Sequence, residues 1–542
     1  MLRSLLLLTS LAVLTLAQAQ SNVAGYDEEV QAHFTANEPG GAVLVARGGK
    51  VLYERALGLA DLSTKTALTT ANQFRIGSVT KQFAAVAILQ LAEAGKLKLD
   101  DEIQKYVDFP KKDHAITIQH LLTHTSGIPN FTNGANYTPE AYAKDIDLKD
   151  LIALFAELPL EFAPGTKWNY SNSGYILVTA IIEKVSGQKW ADYANEQLFA
   201  PAGMSHTTAS LIQGSPTEAL GYAESEQGWE PAHAVSMTWP LGAGNIRSTV
   251  GDLWKWNSSI FAGKLVPLAR LAQAHEPVNL TDGSKHPYGF GWGFQNVQGS
   301  PTIEHNGGID GFVSASLYVP KEDIYVVVLV NRESDDANNL APKLAAIALG
   351  KPYGAPEVAL TEAEAVSYTG VFVNAEGVER YITADGNKLR SMRQGSSPKP
   401  LRHLGNDRFL FEGDVITLSF QRTDGKVTGA RFLARDREEQ LTRSDKPLPK
   451  PREEIKLNNA ELQAYVGEFE LMPGFTLTFR AEGDRFFVTA TRQQELEVFG
   501  EAPHKFFLKE VDATMEFHPE ADGTVKRLTF NQGGVMEGKR IK

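Results

Sequence analysis

Residues 77–95 read GSVTKQFAAVAILQLAEAG, and this stretch decides how the rest of the chain is interpreted. Its good helix formers end at Gly95, so it predicts a helix whose first turn contains Ser78. Lys81 follows one turn later on the same face. Because burial and the helix start both disfavour an ammonium, we expect the pKa of Lys81 to lie below its reference value of about 10.4.

A serine hydroxyl becomes a nucleophile when a neighbouring base takes its proton and donors hold the oxyanion. The stretch therefore predicts Ser78 as the nucleophile and Lys81 as a proton acceptor. The S-x-x-K pattern by itself is weak evidence, because Ser186–Lys189 and Ser396–Lys399 also match it. Neither of those matches opens a long apolar helix, so neither is interpreted as catalytic.

A second candidate motif, Tyr170-Ser171-Asn172, lies in a predicted loop. The loop follows the turn-rich residues 164–169 and precedes an apolar helix predicted over 175–185. Catalytic groups are often presented on loops held by rigid elements. The alternative for Tyr170 is a structural tyrosine with a hydrogen bond. A similar pattern, Tyr193-Ala194-Asn195, falls inside a predicted helix, where the tyrosine simply packs.

The third candidate motif is His305-Asn306-Gly307, which is followed by Gly308. It precedes two predicted strands, 312–319 and 324–330, joined as a hairpin. Glycines let a substrate approach the backbone, so an N–H near Gly308 could pair with that of Ser78 as an oxyanion hole. The alternative for His305 is an ordinary turn histidine.

With these motifs in this order, residues 25 to about 345 resemble the penicillin-recognising serine hydrolases. That family includes class C β-lactamases, low-molecular-mass penicillin-binding proteins, D-aminopeptidases and related esterases. The resemblance also rests on three further stretches: Ile118–Ile128, Phe162–Gly165 and Tyr288–Trp292. It implies an α+β fold, with an antiparallel sheet flanked by helices and a helical subdomain.

The resemblance also implies roles for individual residues. Ser78 would be acylated, Lys81 and Tyr170 would share the general acid and base work, and Asn172 would orient the substrate amide. The split of roles between Lys81 and Tyr170 stays open. His305, Asn306, Gly307 and Gly308 would belong to the substrate-binding side of the site.

The third motif departs from the family pattern of β-lactamases, which typically carry Lys-Thr-Gly there. A neutral or partly charged His305 is a poorer anchor for a substrate carboxylate than a permanent ammonium. The weaker anchor argues against an efficient β-lactamase. The His-x-Gly motif is similar to the one that the D-aminopeptidase and esterase branches carry.

His120 and His124 have the i, i+4 spacing of a zinc-binding pair on a helix. No glutamate lies between them, so they do not form H-E-x-x-H. The favoured interpretation is that both imidazoles make hydrogen bonds that hold the loop before Ser126. We expect neither a metal nor another cofactor.

Composition favours an exported globular protein. The 542 residues are 42% hydrophobic, which suits two to four domains. Residues 1–19 have the basic start, apolar stretch and Ala-Gln-Ala end of a signal peptide, so a periplasmic or extracellular location is expected. The chain has no cysteine, and its net charge of -12 provides no basic surface for nucleic acid. Stable membrane insertion is not expected.

The C-terminal part contains one unit twice. Tyr368–Phe372 matches Tyr465–Phe469, and Arg408–Phe411 matches Lys505–Leu508, both with an offset of 97 residues. Short alternating strands separated by Asp-Gly and Glu-Gly turns predict an antiparallel sheet or a small barrel in each unit. The expected domains are a catalytic domain over 20–350 and two β-barrel-like repeats over 357–445 and 452–542. This arrangement resembles that of D-aminopeptidase.

The sequence thus predicts an exported serine hydrolase that acts on D-amino-acid amides, D-peptides or small esters. The first alternative is a β-lactamase or a D-Ala-D-Ala carboxypeptidase. The second is a penicillin sensor or wall-binding protein that is acylated but hardly turns over. The expected partner of the protein is a small-molecule or peptide substrate, and the oligomeric state is left open.

Overall fold

The computed structural model describes residues 23–542, except positions 213, 226, 335, 355, 356, 450, 451, 453, 473 and 492. The predicted signal peptide, residues 1–19, lies outside the described residues. The chain divides into two compact units, one ending at Tyr353 and one beginning at Gly354. No helix among the described residues is long and apolar enough to span a bilayer.

An antiparallel sheet of six strands forms the centre of the first unit. In the order β3-β4-β5-β6-β1-β2, each strand pairs antiparallel with its neighbours. Its strands are β1 (Gly41–Arg47), β2 (Lys50–Leu57), β3 (Gly293–Val297), β4 (Ser300–Ile309), β5 (Phe312–Val319) and β6 (Ile324–Val330). All seven residues of β6 are buried. Since successive side chains point to opposite faces, β6 is covered on both sides.

Helices cover the sheet and build the rest of the first unit. The main ones are α1 (Thr80–Glu93), α2 (Asn172–Ser186), α3 (Val250–Phe261) and α4 (Asp336–Ala348). Shorter helices span Ile118–Leu122, Pro139–Tyr142, Leu148–Ala156, Trp190–Tyr193, Ala200–Ala202, Leu241–Gly244 and Leu268–Ala274, and one covers 23–33. Both α3 and α4 pack against β6. The α+β class expected from the sequence is confirmed.

The helix α1 runs through the core of the first unit. Its residues are buried continuously from Thr80 to Leu89, so this part of the helix has no solvent face. Phe83 stacks on Trp256 of α3 with ring centroids 3.9 Å apart. A helix packed on all sides is a rigid support for the residues at its start.

The second unit consists of two closed antiparallel barrels of eight strands each, which confirms the expected barrels. The first barrel comprises Gly370–Val373, Glu379–Asp385, Lys388–Arg393, Lys399–His403, Arg408–Phe411, Thr417–Thr423, Lys426–Leu433 and Glu438–Ser444. The second comprises Gly467–Met472, Phe475–Glu482, Arg485–Ala490, Glu495–Ala502, Lys505–Leu508, Thr514–Pro519, Val525–Asn531 and Val535–Arg540. A short capped helix precedes each barrel, Glu362–Tyr368 and Asn459–Leu462.

The duplication extends to single hydrogen bonds. Tyr368 donates its hydroxyl hydrogen to Asp407 Oδ1 at 2.6 Å, and at the equivalent place Tyr465 lies 2.8 Å from His504 Nδ1. Arg443 donates to the carbonyl of Thr369, and Arg540 does the same to Val466. Equivalent residues therefore close the same end of each barrel.

Candidate active site

Ser78 lies at the entrance to α1. A single 3-10 turn, Gly77–Val79, leads directly into α1, so Ser78 precedes the α-helix instead of lying in its first turn. Gly77 has a φ of 48°, and a Cβ there would come within 2.8 Å of Gly308 N. Glycine is required at this position because the backbone before the nucleophile rests against the backbone of β4.

The Lys81 side chain is fully buried and faces Ser78. Its Nζ lies 3.0 Å from Ser78 Oγ, and it donates to Asn172 Oδ1 at 2.8 Å and to the carbonyl of Ala243 at 2.9 Å. All three partners are uncharged. Burial therefore holds the pKa of Lys81 well below its usual value.

These contacts fit a neutral amine. A neutral lysine has two N–H bonds and one lone pair, and the two oxygens of Asn172 and Ala243 accept both N–H bonds. The lone pair then faces Ser78 Oγ. The amine is thus positioned to accept the serine proton.

Tyr170 and Asn172 reach the same place from the start of α2. The Tyr170 hydroxyl is buried beside the Ser78 hydroxyl, which interacts with it. Burial raises the pKa of Tyr170, which the nearby Ser78 hydroxyl opposes only in part. The phenol is therefore protonated at neutral pH. The amide of Asn172 is held by its bond to Lys81 and by donation from Nδ2 to Thr132 Oγ1 at 3.4 Å.

His305 lies inside β4 and is buried, so it is not the ordinary turn histidine considered as the alternative. Its Nδ1 donates to the carbonyl of Asn306 at 2.6 Å, and its Nε2 accepts from the Tyr288 hydroxyl at 2.8 Å. Burial is the main cause that lowers the pKa of His305 to about 3, and any positive charge on Lys81 acts in the same direction. The imidazole is neutral, with its tautomer set by these two partners.

A continuous set of buried hydrogen bonds joins His305 to the loop that carries Tyr170. Tyr288 lies 3.2 Å from His124 Nε2, and His124 Nδ1 accepts from the backbone N–H of Ser171 at 3.2 Å. Each imidazole then has one donor and one acceptor nitrogen, and the Tyr288 hydroxyl donates to His305 and accepts from His124. The sequence signal for Tyr288 was its place in the family-like stretch Tyr288–Trp292, which did not reveal this role.

The two histidines considered for zinc do not share a helix face. The helix that contains His120 ends at Leu122, and His124 follows it with a φ of 59°. His120 Nδ1 accepts from the backbone N–H of Thr117, which completes a capping box. His124 belongs to the network just described, so both imidazoles fix the backbone of this segment.

Three of the predicted residues, Ser78, Asn172 and Gly308, line a cavity of about 450 Å³. Asn306 and Gly307 do not line it: Gly307 is buried, and Asn306 is exposed. The sequence did not indicate the other walls, which include Phe131, Thr132, Tyr137, His233, Trp239, Asp310, Phe312 and Glu333. No motif links these residues, because they come from segments far apart in the chain.

The two glycines of β4 allow a matched pair of substitutions. A Cβ at Gly307 would lie 2.0 Å from the carbonyl oxygen of Ile76, whereas one at Gly308 would meet no atom within 4 Å. We expect Gly307→Ala to lower the free energy of unfolding by about 1–3 kcal/mol, because the backbone of Ile76 must move. Gly308→Ala should unfold like the unsubstituted protein. Urea unfolding measures both, and equal midpoints would contradict the close packing.

The site combines the buried amine of Lys81, the hydroxyl of Ser78 and the phenol of Tyr170, and β4 lies opposite them. This combination defines a serine hydrolase. The family comparison agrees: a model described as Beta-lactamase matches residues 20–350, so the chain belongs to the beta-lactamase family. A second model, described as a domain of unknown function (DUF3471), matches residues 451–540.

The chain is similar to several curated proteins of this family. It is 30% identical over 419 residues to penicillin-binding protein 4* of Bacillus subtilis, covering 72% of this chain and 92% of that protein. It is 29% identical over 323 residues to the D-aminopeptidase of Gluconobacter oxydans, covering 58% of this chain and 60% of that enzyme.

Solved structures share the fold at lower identity. The D-amino acid amidase of Ochrobactrum anthropi SV3, complexed with D-phenylalanine, has a TM-score of 0.54 and 21% identity, covering 62% of this chain and 99% of the amidase. The octameric penicillin-binding protein homologue of Pyrococcus abyssi has a TM-score of 0.53 and 23% identity, covering 77% and 98% of the two chains.

Proposed function

We propose that this serine hydrolase is exported and cleaves D-amino-acid amides, D-peptides or small esters through an acyl-enzyme on Ser78. The observation that carries the proposal is the neutral, doubly hydrogen-bonded His305. An imidazole in this state provides no positive charge for a substrate carboxylate. The similarity to a D-aminopeptidase supports the same substrate class.

In the proposed reaction the Lys81 amine takes the Ser78 proton as Oγ attacks the substrate carbonyl. The backbone N–H groups of Ser78 and Gly308 would hold the oxyanion, an interaction worth about 10²- to 10³-fold in rate per donor. Collapse breaks the C–N or C–O bond, and the leaving group takes a proton that Lys81 gained, passed through Tyr170. Lys81 then deprotonates a water molecule that attacks the ester carbonyl, and Ser78 Oγ takes that proton back from Lys81 as the C–O bond to the acid breaks.

The geometry favours Lys81 over Tyr170 as the base. Burial lowers the pKa of the amine and raises that of the phenol, so a larger fraction of the amine is free to accept a proton than in an ordinary lysine, while the phenol keeps its proton. Tyr170 would serve as the acid that returns the proton to the leaving group. Asn172 would orient the substrate amide and the Lys81 amine together.

The test is a substrate panel with the purified protein. It comprises the p-nitroanilides of D- and L-phenylalanine, p-nitrophenyl acetate, nitrocefin and a peptide ending in D-Ala-D-Ala. We expect kcat/KM for the D-anilide to exceed that for the L-anilide and for nitrocefin by at least about tenfold, a difference of about 1.4 kcal/mol. Faster turnover of nitrocefin or of the D-Ala-D-Ala peptide would overturn the proposal.

A second candidate function is penicillin binding with little turnover, which the 30% identity to penicillin-binding protein 4* favours. Labelling with a fluorescent penicillin distinguishes the two candidate functions. Stoichiometric labelling of Ser78 without product release from any member of the panel would support the second candidate.

Export is proposed from the sequence of residues 1–19 alone. N-terminal sequencing of the protein recovered outside the cytoplasm tests it, and cleavage before Gln20 is expected. Recovery of the uncleaved chain only from the cytoplasm would contradict it. We also propose the domain bounds 20–350, 357–445 and 452–542 as those of separately folding parts.

A further inference from the structure

The wall of the substrate cavity carries negative charge. Asp310 lies in the turn between β4 and β5, and Glu333 follows β6. Among the described residues that line the cavity there is no lysine or arginine, and the other titratable groups are His233 and Tyr137. Neither carboxylate belongs to a salt bridge with a described residue. The cavity beside Ser78 therefore attracts a cation and repels a carboxylate.

The Asp310 carboxylate is held in place. Tyr142, which is buried, donates its hydroxyl hydrogen to Asp310 Oδ2 at 2.7 Å. Glu333 Oε1 accepts from the backbone N–H of Gly311 at 2.9 Å, which fixes the turn next to Asp310. With Oδ2 occupied by Tyr142, Oδ1 of Asp310 is available to a ligand.

Aromatic rings form the other side of the same cavity. Phe131, Tyr137 and Trp239 pack together there, with centroids 5.6 Å apart for the first pair and 5.8 Å apart for Tyr137 and Trp239. Aromatic faces attract ammonium groups, and they also accept an apolar side chain. An acidic group and aromatic rings beside one nucleophile suit an amino acid derivative with a free amine.

We propose that Asp310 determines specificity by binding the ammonium group of the acyl half of the substrate. The substrates are then amides or esters of amino acids and peptides whose amine is free. N-acylated compounds and compounds with a carboxylate in the acyl half are disfavoured. This inference rests on the proposed function, since it names the acyl group that Ser78 accepts.

The experiment compares D-phenylalanine p-nitroanilide with its N-acetyl derivative, which lacks the charge. The measured quantity is the ratio of kcat/KM for the free amine to kcat/KM for the N-acetyl compound. In the unsubstituted protein this ratio should exceed one. Asp310→Asn should lower it by about 10- to 100-fold, because a hydrogen bond to a charged group is lost. Asp310→Glu should keep most of it, because the charge is retained.

Asp323→Asn is the matched control. Asp323 Oδ1 also accepts from a tyrosine hydroxyl, that of Tyr318 at 3.0 Å, and it lies in the turn between β5 and β6, outside the cavity wall. Its φ of 49° is one that asparagine tolerates. The ratio should be the same in Asp323→Asn as in the unsubstituted protein.

The outcomes separate this inference from the proposed function. An unchanged ratio in Asp310→Asn would overturn the role of Asp310 while D-amides were still cleaved. If no anilide is cleaved, the amidase proposal fails, and the same ratio is then measured with the methyl esters of D-phenylalanine and N-acetyl-D-phenylalanine. If Asp323→Asn lowered the ratio as much as Asp310→Asn does, the inference would also be overturned.

Discussion

Replacing Ser78 by alanine is expected to lower the hydrolysis of p-nitrophenyl acetate at least about 10⁴-fold, because the acyl-enzyme can no longer form. The fold should be retained, since the Ser78 side chain is only partly buried and lies on the cavity wall. Steady-state kinetics and the intact mass after reaction with a fluorophosphonate measure the two effects. The unsubstituted protein should gain one adduct, and the variant none.

The control for this substitution is Ser186→Ala, which removes the serine of a second S-x-x-K sequence. Ser186 Oγ donates to the carbonyl of Ile182 at 2.6 Å, and it lies at the end of α2. Its activity should match that of the unsubstituted protein. An adduct that persists in Ser78→Ala would show that another residue is the nucleophile.

Replacing Lys81 by methionine is expected to lower kcat/KM by about 10²- to 10⁴-fold, the usual contribution of a general base. Methionine has a similar length but no lone pair on nitrogen to take the Ser78 proton. In the unsubstituted protein kcat/KM should rise with pH as Lys81 loses its proton. Since burial lowers the pKa of Lys81, kcat/KM should rise at a pH far below 10. The variant should lack it.

The same substitution predicts a change in how stability depends on pH. Unfolded Lys81 binds a proton below about pH 10.4, while the folded residue does so only below its lowered pKa. Between these values the unfolded state binds more protons, so the stability of the unsubstituted protein relative to Lys81→Met rises with pH. Urea unfolding at several pH values measures the difference. A difference that does not change with pH would contradict a lowered pKa.

Lys189→Met is the control for both measurements, kcat/KM and the pH dependence of stability, since Lys189 belongs to the second S-x-x-K sequence. Its side chain is 77% exposed and pairs with Glu183 at 3.0 Å. The activity and the pH dependence of stability should both stay as in the unsubstituted protein.

Several features of the fold followed from local sequence. The strands predicted over 312–319 and 324–330 have those bounds in the structure, because β-branched residues and the Pro320–Asp323 turn mark both ends. The helix predicted over 175–185 begins three residues earlier, at Asn172. Its N-terminal turn contains polar residues that the apolar pattern did not include.

The sequence by itself determined the order of the motifs, the serine hydrolase class and the duplicated barrels. These depend on residues that are neighbours in the chain or that repeat at a constant offset, so local patterns record them. The roles of Ser78, Lys81 and Tyr170 stay predictions until the variants are measured.

Only the tertiary structure identified the partners that hold the ionisable groups and the residues that form the cavity walls. The partners of Lys81 come from three separate segments, and one of them is the backbone carbonyl of Ala243, which every residue type possesses. The tautomer of His305 depends on Tyr288, and the charge of the cavity depends on Asp310 and Glu333. Burial and contact between distant segments set these properties, and a local pattern contains no information about either.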